Sequence, residues 1–297
     1  MRRLFIIWTL LTLFLVSCIS PASPSGTADP VILTSTTLLA NIARNIARDR
    51  VKVEALLPIG ADPHSYQPTP QDVAKIERST LLIVNGAGYE SFLQTLLDAK
   101  RASGEREVIE AAAGIRLRKE AQAVDPHVWL DPNNVVVYVE NIREALTHFD
   151  PDGAAIYQAN AEAYVNELKN LDAWIVAQMN QIPAEKRLLV TNHEALNYFA
   201  ERYGFTVIGT VIESFSADAS PSAQQMASLI DQIKASGAPA IFLDAGDNPA
   251  LANQIAAETG VRVITDLHLE SLTDGAPAAT YIDMMKHNVT QIVNALK

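Results

Sequence analysis

Six histidines are spread along the 297 residues, and three stand where an apolar run or a loop gives way to a helix. They are His64 in Gly60-Ala61-Asp62-Pro63-His64, His127 in Asp125-Pro126-His127-Val128-Trp129, and His193 in Thr191-Asn192-His193-Glu194. Imidazole is the commonest side-chain metal ligand. Read alone, any one of these histidines is more often a structural or surface residue, but Asp-Pro-His occurs twice, and its rigid proline holds an imidazole and a carboxylate in fixed relation. A metal-bound imidazole usually donates its other N–H to a carboxylate or carbonyl. Asp62 and Asp125 are therefore placed either to orient the two rings or simply to cap the turns. The three histidines are 63 and 66 residues apart. No finger or helix-borne motif has such gaps, so a shared site must be assembled by the fold, with two ligands from the first half and at least one from the second. His193-Glu194 begins like the His-Glu-x-x-His helix of zinc proteases, but position 197 is Asn, and that reading fails. His148, His268 and His287 lie in or beside helices and charged segments.

What positions these residues is an alternation of short apolar runs with helical patterns, the signature of α/β layers built on mostly parallel sheets. In the first half, strands are expected at Val31–Ser35, Val51–Leu56 and Leu81–Val84, and helices at Leu38–Arg48, from Thr69-Pro70 to Ser79, and from Asp131-Pro132 to His148. Thr69-Pro70 and Asp131-Pro132 each read as a helix cap followed by proline at the first helical position. Asn85-Gly86-Ala87-Gly88 is a strand-to-helix turn, since its glycine spacing does not fit a dinucleotide fingerprint. Residues 154 to 181 contain no Gly or Pro and predict a helix of roughly 40 Å, placed near the middle of the chain. In the second half, strands are expected at Arg187–Thr191, Thr206–Ile212, Ala240–Asp244 and Val261–Ile264. Helices are expected at Ala195–Tyr203, Ser222–Lys234, Pro249–Thr259 and Thr280–Leu296. With about four strands and four helices per half, the expected fold is two similar α/β lobes, residues 31–150 and 183–297, joined by one long linker helix over 151–182. Ligands in such folds bind beyond the carboxyl ends of the strands, here in the interlobe cleft. Met284, Met285 and the surroundings of Tyr281 read as core.

The composition narrows the chemistry. Hydrophobic residues make up 48% of the chain, enough for a core in each lobe, and the net charge of -11 argues against a nucleic-acid partner. The one cysteine, Cys18, excludes an internal disulfide framework and a cysteine-rich metal site. Arg2-Arg3, the apolar run Leu4–Val16 and Ser17-Cys18 form a secretory signal over residues 1–17. Leu15-Val16-Ser17-Cys18 resembles the lipobox of bacterial lipoproteins, in which the chain is cut before a cysteine that is then acylated. Export with a lipid anchor on Cys18 follows, to the outer face of the cell membrane or the periplasm. Residues 18–30 read as a flexible tether.

The chain resembles the bacterial metal-binding lipoproteins that serve as solute-binding components of zinc and manganese ABC importers. The resemblance rests on Ala61-Asp62-Pro63-His64-Ser65-Tyr66-Gln67-Pro68-Thr69-Pro70, on Asp125-Pro126-His127-Val128-Trp129-Leu130-Asp131-Pro132, on the His193 turn, and on Leu267-His268-Leu269-Glu270-Ser271-Leu272 with the helix that follows Thr280. It covers essentially the whole mature chain. It implies metal ligands at His64, His127 and His193, and a fourth at the position of Glu270, where the family usually has aspartate; Asp266 is the reserve carboxylate. Three imidazoles and a carboxylate suit tetrahedral Zn²⁺. Manganese-dedicated members tend to carry glutamate at the third histidine, so His193 favours zinc. Residues 111–124 lack the His-rich loop of many zinc members, which keeps Mn²⁺ as the alternative.

The resemblance further implies a monomeric, non-catalytic protein that captures an ion and passes it to an ABC permease. Affinity is expected to fall as pH drops through the imidazole range. Two other classes are open to test. A zinc hydrolase would need an open coordination position and a general base, with Glu270 or Glu194 as candidates. A surface adhesin would leave no motif.

Overall fold

A computed structural model of the protein describes residues 31–103, 107–120, 123–215 and 220–297. The expected signal peptide and tether, with Cys18, lie outside the described residues. In the first lobe the chain runs β1 (Val31–Thr34), α1 (Thr37–Ala47), β2 (Lys52–Ala55), α2 (Pro70–Arg78), β3 (Leu81–Val84), α3 (Gln94–Ser103) and β4 (Glu107–Glu110). A two-residue hairpin, β5 (Lys119–Glu120) and β6 (Ala123–Val124), then leads to α4 (Pro132–Phe149) and α5 (Ala154–Met179). The second lobe follows as β7 (Leu188–Thr191), α6 (Asn197–Tyr203), β8 (Thr206–Thr210), α7 (Ala223–Ser236), β9 (Ala240–Asp244), α8 (Ala250–Thr259), β10 (Arg262–Leu267) and α9 (Tyr281–Leu296).

Each lobe is built on a four-stranded sheet, ordered β2-β1-β3-β4 and β10-β9-β7-β8. All pairings within these two sheets are parallel. The strands are apolar on both faces because both faces are covered. In β1 and β3, Ile32, Leu81 and Ile83 enter one core while Leu33, Leu82 and Val84 enter another. In β9, Ala240 and Phe242 face one way and Ile241 and Leu243 the other. Strand order reverses between β1 and β3 and between β7 and β9. Crevices outside the carboxyl ends at such reversals are where α/β sheets hold ligands.

The expected caps are present. Thr69 and Asp72 form a reciprocal capping box at α2, with Pro70 opening the helix. The Asp131 carboxylate accepts from Asn133 N at the start of α4. The turn after β3 depends on Gly86, whose φ of +80° is left-handed. A β-carbon at Gly86 would also lie 2.9 Å from the Glu110 carboxylate.

Helix α5 has 26 residues and is about 39 Å long. Its buried residues, Tyr157, Ala161, Tyr164, Leu168, Leu171, Ile175 and Met179, recur every three or four positions. That stripe packs against α1 and α4 from the first lobe and α9 from the end of the chain. The long helix therefore joins the lobes as part of their shared core. One apolar cluster runs from Ile32 and Trp129 through Tyr157 and Leu168 to Leu189, Phe242 and Met284. Helix α9 also touches α1, which adds a second tie between the lobes.

Some boundaries differ from those expected. β10 runs to Leu267 instead of Ile264, because its register on β9 shifts after Ile264 and resumes with Leu267 opposite Asp244. Helix α6 begins at Asn197 instead of Ala195, since the backbone after His193 is spent on a tight turn in which Ala195 N donates to His193 O at 2.9 Å. β8 ends at Thr210, two residues short of Ile212.

Candidate metal centre

His64 lies between β2 and α2, in the proline-rich loop that ends at the Thr69 cap. The Asp62 carboxylate fixes this turn: Oδ1 accepts from the His64 amide at 2.9 Å and Oδ2 from the Ser65 hydroxyl at 2.7 Å. His127 follows β6, and Asp125 Oδ1 accepts from its amide in the same way at 3.0 Å. Here the oxygen also takes the ring, with His127 Nδ1 at 2.9 Å. The two Asp-Pro-His motifs thus share one backbone device, and only the second orients an imidazole through its aspartate. Asn197 Nδ2 donates to the other Asp125 oxygen at 3.2 Å, so a residue of the second lobe steadies the pair. His193 stands two residues beyond β7, at the reversal of the second sheet, where the Thr191 hydroxyl donates to its carbonyl at 2.8 Å.

Glu270 reaches the same point from three residues beyond β10. Its segment is held from both lobes. Trp129 Nε1 donates to Leu269 O at 2.7 Å, Leu269 N donates to Asp244 Oδ1 at 2.8 Å, and Leu272 N donates to Thr37 Oγ1 at 3.0 Å. The Ser271 hydroxyl accepts from Gly60 N at 2.8 Å.

One oxygen, Glu270 Oε1, is the meeting point of three imidazoles. It lies 2.7 Å from His64 Nε2, 3.2 Å from His127 Nε2 and 3.3 Å from His193 Nε2. The four donor atoms all lie within 4.8 Å of one another. Ligands on a tetrahedral ion with bonds of roughly 2.0–2.2 Å sit about 3.3–3.6 Å apart, so the spacing suits one ion with four ligands. His127 is fully buried, and His193 and Glu270 nearly so. His193 Nε2 is buried without a hydrogen-bond partner despite its proximity to Oε1, and such an atom is costly unless something binds it.

The charges in the cluster are strongly coupled. Burial alone favours neutral groups, but the three imidazoles gathered on its oxygen, two of them hydrogen-bonded to it, outweigh burial and hold the Glu270 carboxyl well below its ordinary range. For His127, burial is likewise outweighed by the bonds to Asp125 and Glu270, and its pKa is pushed up to about 9. The Asp244 carboxyl is pushed to about 8 by burial and by the nearby Glu270 charge. Tyr89 closes the cluster with its ring edge-on to His64 at 5.7 Å and to Trp129 at 4.9 Å. Two cavities approach the cluster. One of about 220 Å³ is lined by Asp62, Asp244, Asp247, His268 and Glu270, and one of about 470 Å³ by His64, Tyr89, Glu194 and Glu213.

Asp266 is not at this point. It is exposed and grouped with His268 and His287, because the shifted register of β10 leaves it on the solvent side while Leu267 is buried. Sequence reasoning did not single out Trp129, Asp244, Tyr89 or Thr37 as parts of the site. Trp129 stood inside a quoted motif and Asp244 at the end of an expected strand, but their contacts with residues 269–272 are made across the fold.

The profile of the family described as "Zinc-uptake complex component A periplasmic" matches residues 32–295. The manganese-binding lipoprotein MntA of Halalkalibacterium halodurans is 34% identical over 303 residues, covering 100% of this chain and 99% of that protein. The iron-binding protein YfeA of Yersinia pestis is 32% identical, covering 97% of this chain and 94% of its own. Among solved structures, the periplasmic zinc-binding protein TroA of Treponema pallidum superposes with a TM-score of 0.83 at 29% identity, covering 90% of this chain and 99% of that one.

Proposed function

Since the chain belongs to the family of periplasmic A components of zinc-uptake complexes, we propose that it is the extracytoplasmic carrier of an ABC importer, binding its cargo ion between His64, His127, His193 and Glu270. The observation that carries this reading is the convergence of three imidazole nitrogens on a single buried carboxylate oxygen, drawn from both lobes. The relatives are named for manganese, iron and zinc, so the choice of ion rests on the donors. Three nitrogens and one oxygen favour the borderline ion Zn²⁺ over the oxygen-seeking Mn²⁺, and zinc is the cargo we assign, with manganese as the alternative.

The donor set argues for carriage and against hydrolysis. A catalytic zinc site keeps one position for water and sets a carboxylate base beside it. Here Glu270 stands within the set, in reach of all three imidazoles, as a fourth ligand. Capture replaces the proton on His127 Nε2 with the ion, while Nδ1–H stays on Asp125. Release follows docking on the permease and small shifts of the Glu270 segment, since the lobes share one core and have no free hinge. The lipid on Cys18 holds the protein, as a monomer, at the membrane beside its partner. Among the described residues no helix is long and apolar enough to cross a membrane.

The test is a competition titration of the chelator-stripped protein with Zn²⁺ and Mn²⁺ against a metal indicator, repeated on Glu270→Ala. Tight zinc binding that weakens at least about 100-fold in the variant is expected, the loss of one of four ligands and of the only negative charge among them. Equal affinity in the variant removes Glu270 from the set, and manganese binding tighter than zinc reverses the assignment of the cargo.

A further inference from the structure

Beyond the four-donor cluster, a second group of ligating side chains converges among the described residues: Asp266, His268 and His287, with one ligand atom of each within 4.8 Å of the others. His287 Nε2 is 3.2 Å from Asp266 Oδ2, and His268 Nε2 is 3.8 Å from Asp266 Oδ1. The imidazole centroids are 5.4 Å apart. Neighbouring ligands on a tetrahedral ion lie about 3.3 Å apart, a value these two distances bracket.

The group is built, and it is built by one helix. α9 supplies His287 itself. The next residue, Asn288, is buried and clamps the backbone of His268 on both sides: His268 N donates to Asn288 Oδ1 at 2.8 Å, and Asn288 Nδ2 donates to His268 O at 2.6 Å. One turn after His287, Gln291 Nε2 donates to Asp266 Oδ2 at 3.1 Å and steadies the carboxylate. His287 Nε2 also donates to the Asp266 carbonyl at 2.7 Å, a bond that a cation exchanges for coordination. The two imidazoles are only slightly exposed, whereas Asp266 is open to solvent, so an ion can be reached from outside.

The geometry points to a second divalent-cation site, on the surface of the C-terminal lobe, in which Asp266, His268 and His287 bind a borderline ion such as Zn²⁺ and water completes the shell. Three ligands and an open face make it weaker and faster-exchanging than the buried cluster. His268 also lines the cavity that Glu270 lines, so the second ion sits beside an approach to the first.

Equilibrium dialysis of the full, chelator-stripped chain against buffered Zn²⁺, with ions counted per chain, tests this on wild type, His287→Ala, Asp266→Asn and His193→Ala. Two ions per wild-type chain are expected, one tight and one weak. His287→Ala and Asp266→Asn each lose the weak ion and keep the tight one, which also shows that they are folded. His193→Ala loses the tight ion and keeps the weak one. A single ion per wild-type chain at saturation that His287→Ala and Asp266→Asn both keep overturns the second site, as does a weak second ion that persists in both variants. A wild-type chain that binds only at the weak site, and loses it in His287→Ala, instead sinks the carrier reading and leaves this one standing.

Discussion

Asp125→Asn tests how the buried histidine is tuned. Asparagine has the size of aspartate, and its carbonyl oxygen can accept from both the His127 amide and Nδ1–H, as Asp125 Oδ1 does now. The turn should survive, and what disappears is the negative charge behind the ring. Two effects follow, with opposite signs. Losing the charged partner of a metal-bound imidazole costs about 10- to 100-fold in affinity, or about 1.4–2.7 kcal/mol. Yet the same charge helps push the His127 pKa up to about 9. With that value, only roughly one free ring in 100 has Nε2 deprotonated at about pH 7, which lowers the apparent zinc affinity about 100-fold, a handicap that shrinks in the variant. Near pH 7 the two effects largely cancel, whereas near pH 9.5, above the wild-type pKa, the loss of affinity appears in full. The assay is zinc affinity by indicator competition in chelator-buffered zinc at both pH values, with thermal melting as a check on folding. Wild type and variant that differ by the same factor at both pH values, or not at all at the higher one, refute the reasoning.

Two further outcomes follow from the same geometry. The folded pKa of Glu270 is depressed, so its contribution to stability is present above the unfolded value and lost as pH falls through the folded one. That of His127 is raised, so its contribution is present below the ordinary imidazole value and lost as pH rises through about 9. Asp244, raised to about 8, takes stability away as pH climbs from about 4 to about 8, so urea unfolding of the metal-free protein should show a stability maximum at about pH 4–5 that falls on both sides; a stability still rising at about pH 7 contradicts the coupling. Trp129→Phe removes the indole donor from the Leu269 carbonyl and leaves that acceptor unsatisfied, at a cost of about 1–3 kcal/mol in urea unfolding, together with weaker zinc binding. A variant that matches wild type in both measurements means that the bond does not position Glu270.

His64 and His127 were legible because Asp-Pro-His is a local signal that occurs twice, and His193 because it stands where an apolar run gives way to a helix at a position the family resemblance marks; the cluster draws on all three. The strands were legible because alternating residues of β1, β3, β7 and β9 feed cores on both faces, which leaves continuous apolar runs in the sequence. What was not legible depends on contacts across the fold. Nothing around Asp62 and Asp125 distinguishes a carboxylate that holds a ring from one that only holds a turn, since the difference lies in where His127 points. Glu270 carries no local signal beyond its place before Ser271-Leu272 and was reached only through family resemblance. Asp266, four residues earlier, was its rival until the irregular register of β10 turned it to solvent. The two-residue strands β5 and β6 are too short to leave a pattern, although they deliver His127.

The apolar cluster that runs without a break from Ile32 through α5 to Met284 means that the two lobes, distinct to the eye, make one thermodynamic unit. Neither lobe can melt while the other keeps its packing, because each supplies the other's wall along the stripe from Tyr157 to Met179. An ion bound at the proposed site would consequently stabilise the whole chain, far from His64, His127, His193 and Glu270. The same continuity sets the cost of letting go: swinging the lobes apart would expose shared core, whereas loosening the few hydrogen bonds around residues 269–272 would not. In such a molecule, cargo release and structural integrity are governed by different bonds, and a partner can act on the first without drawing on the second.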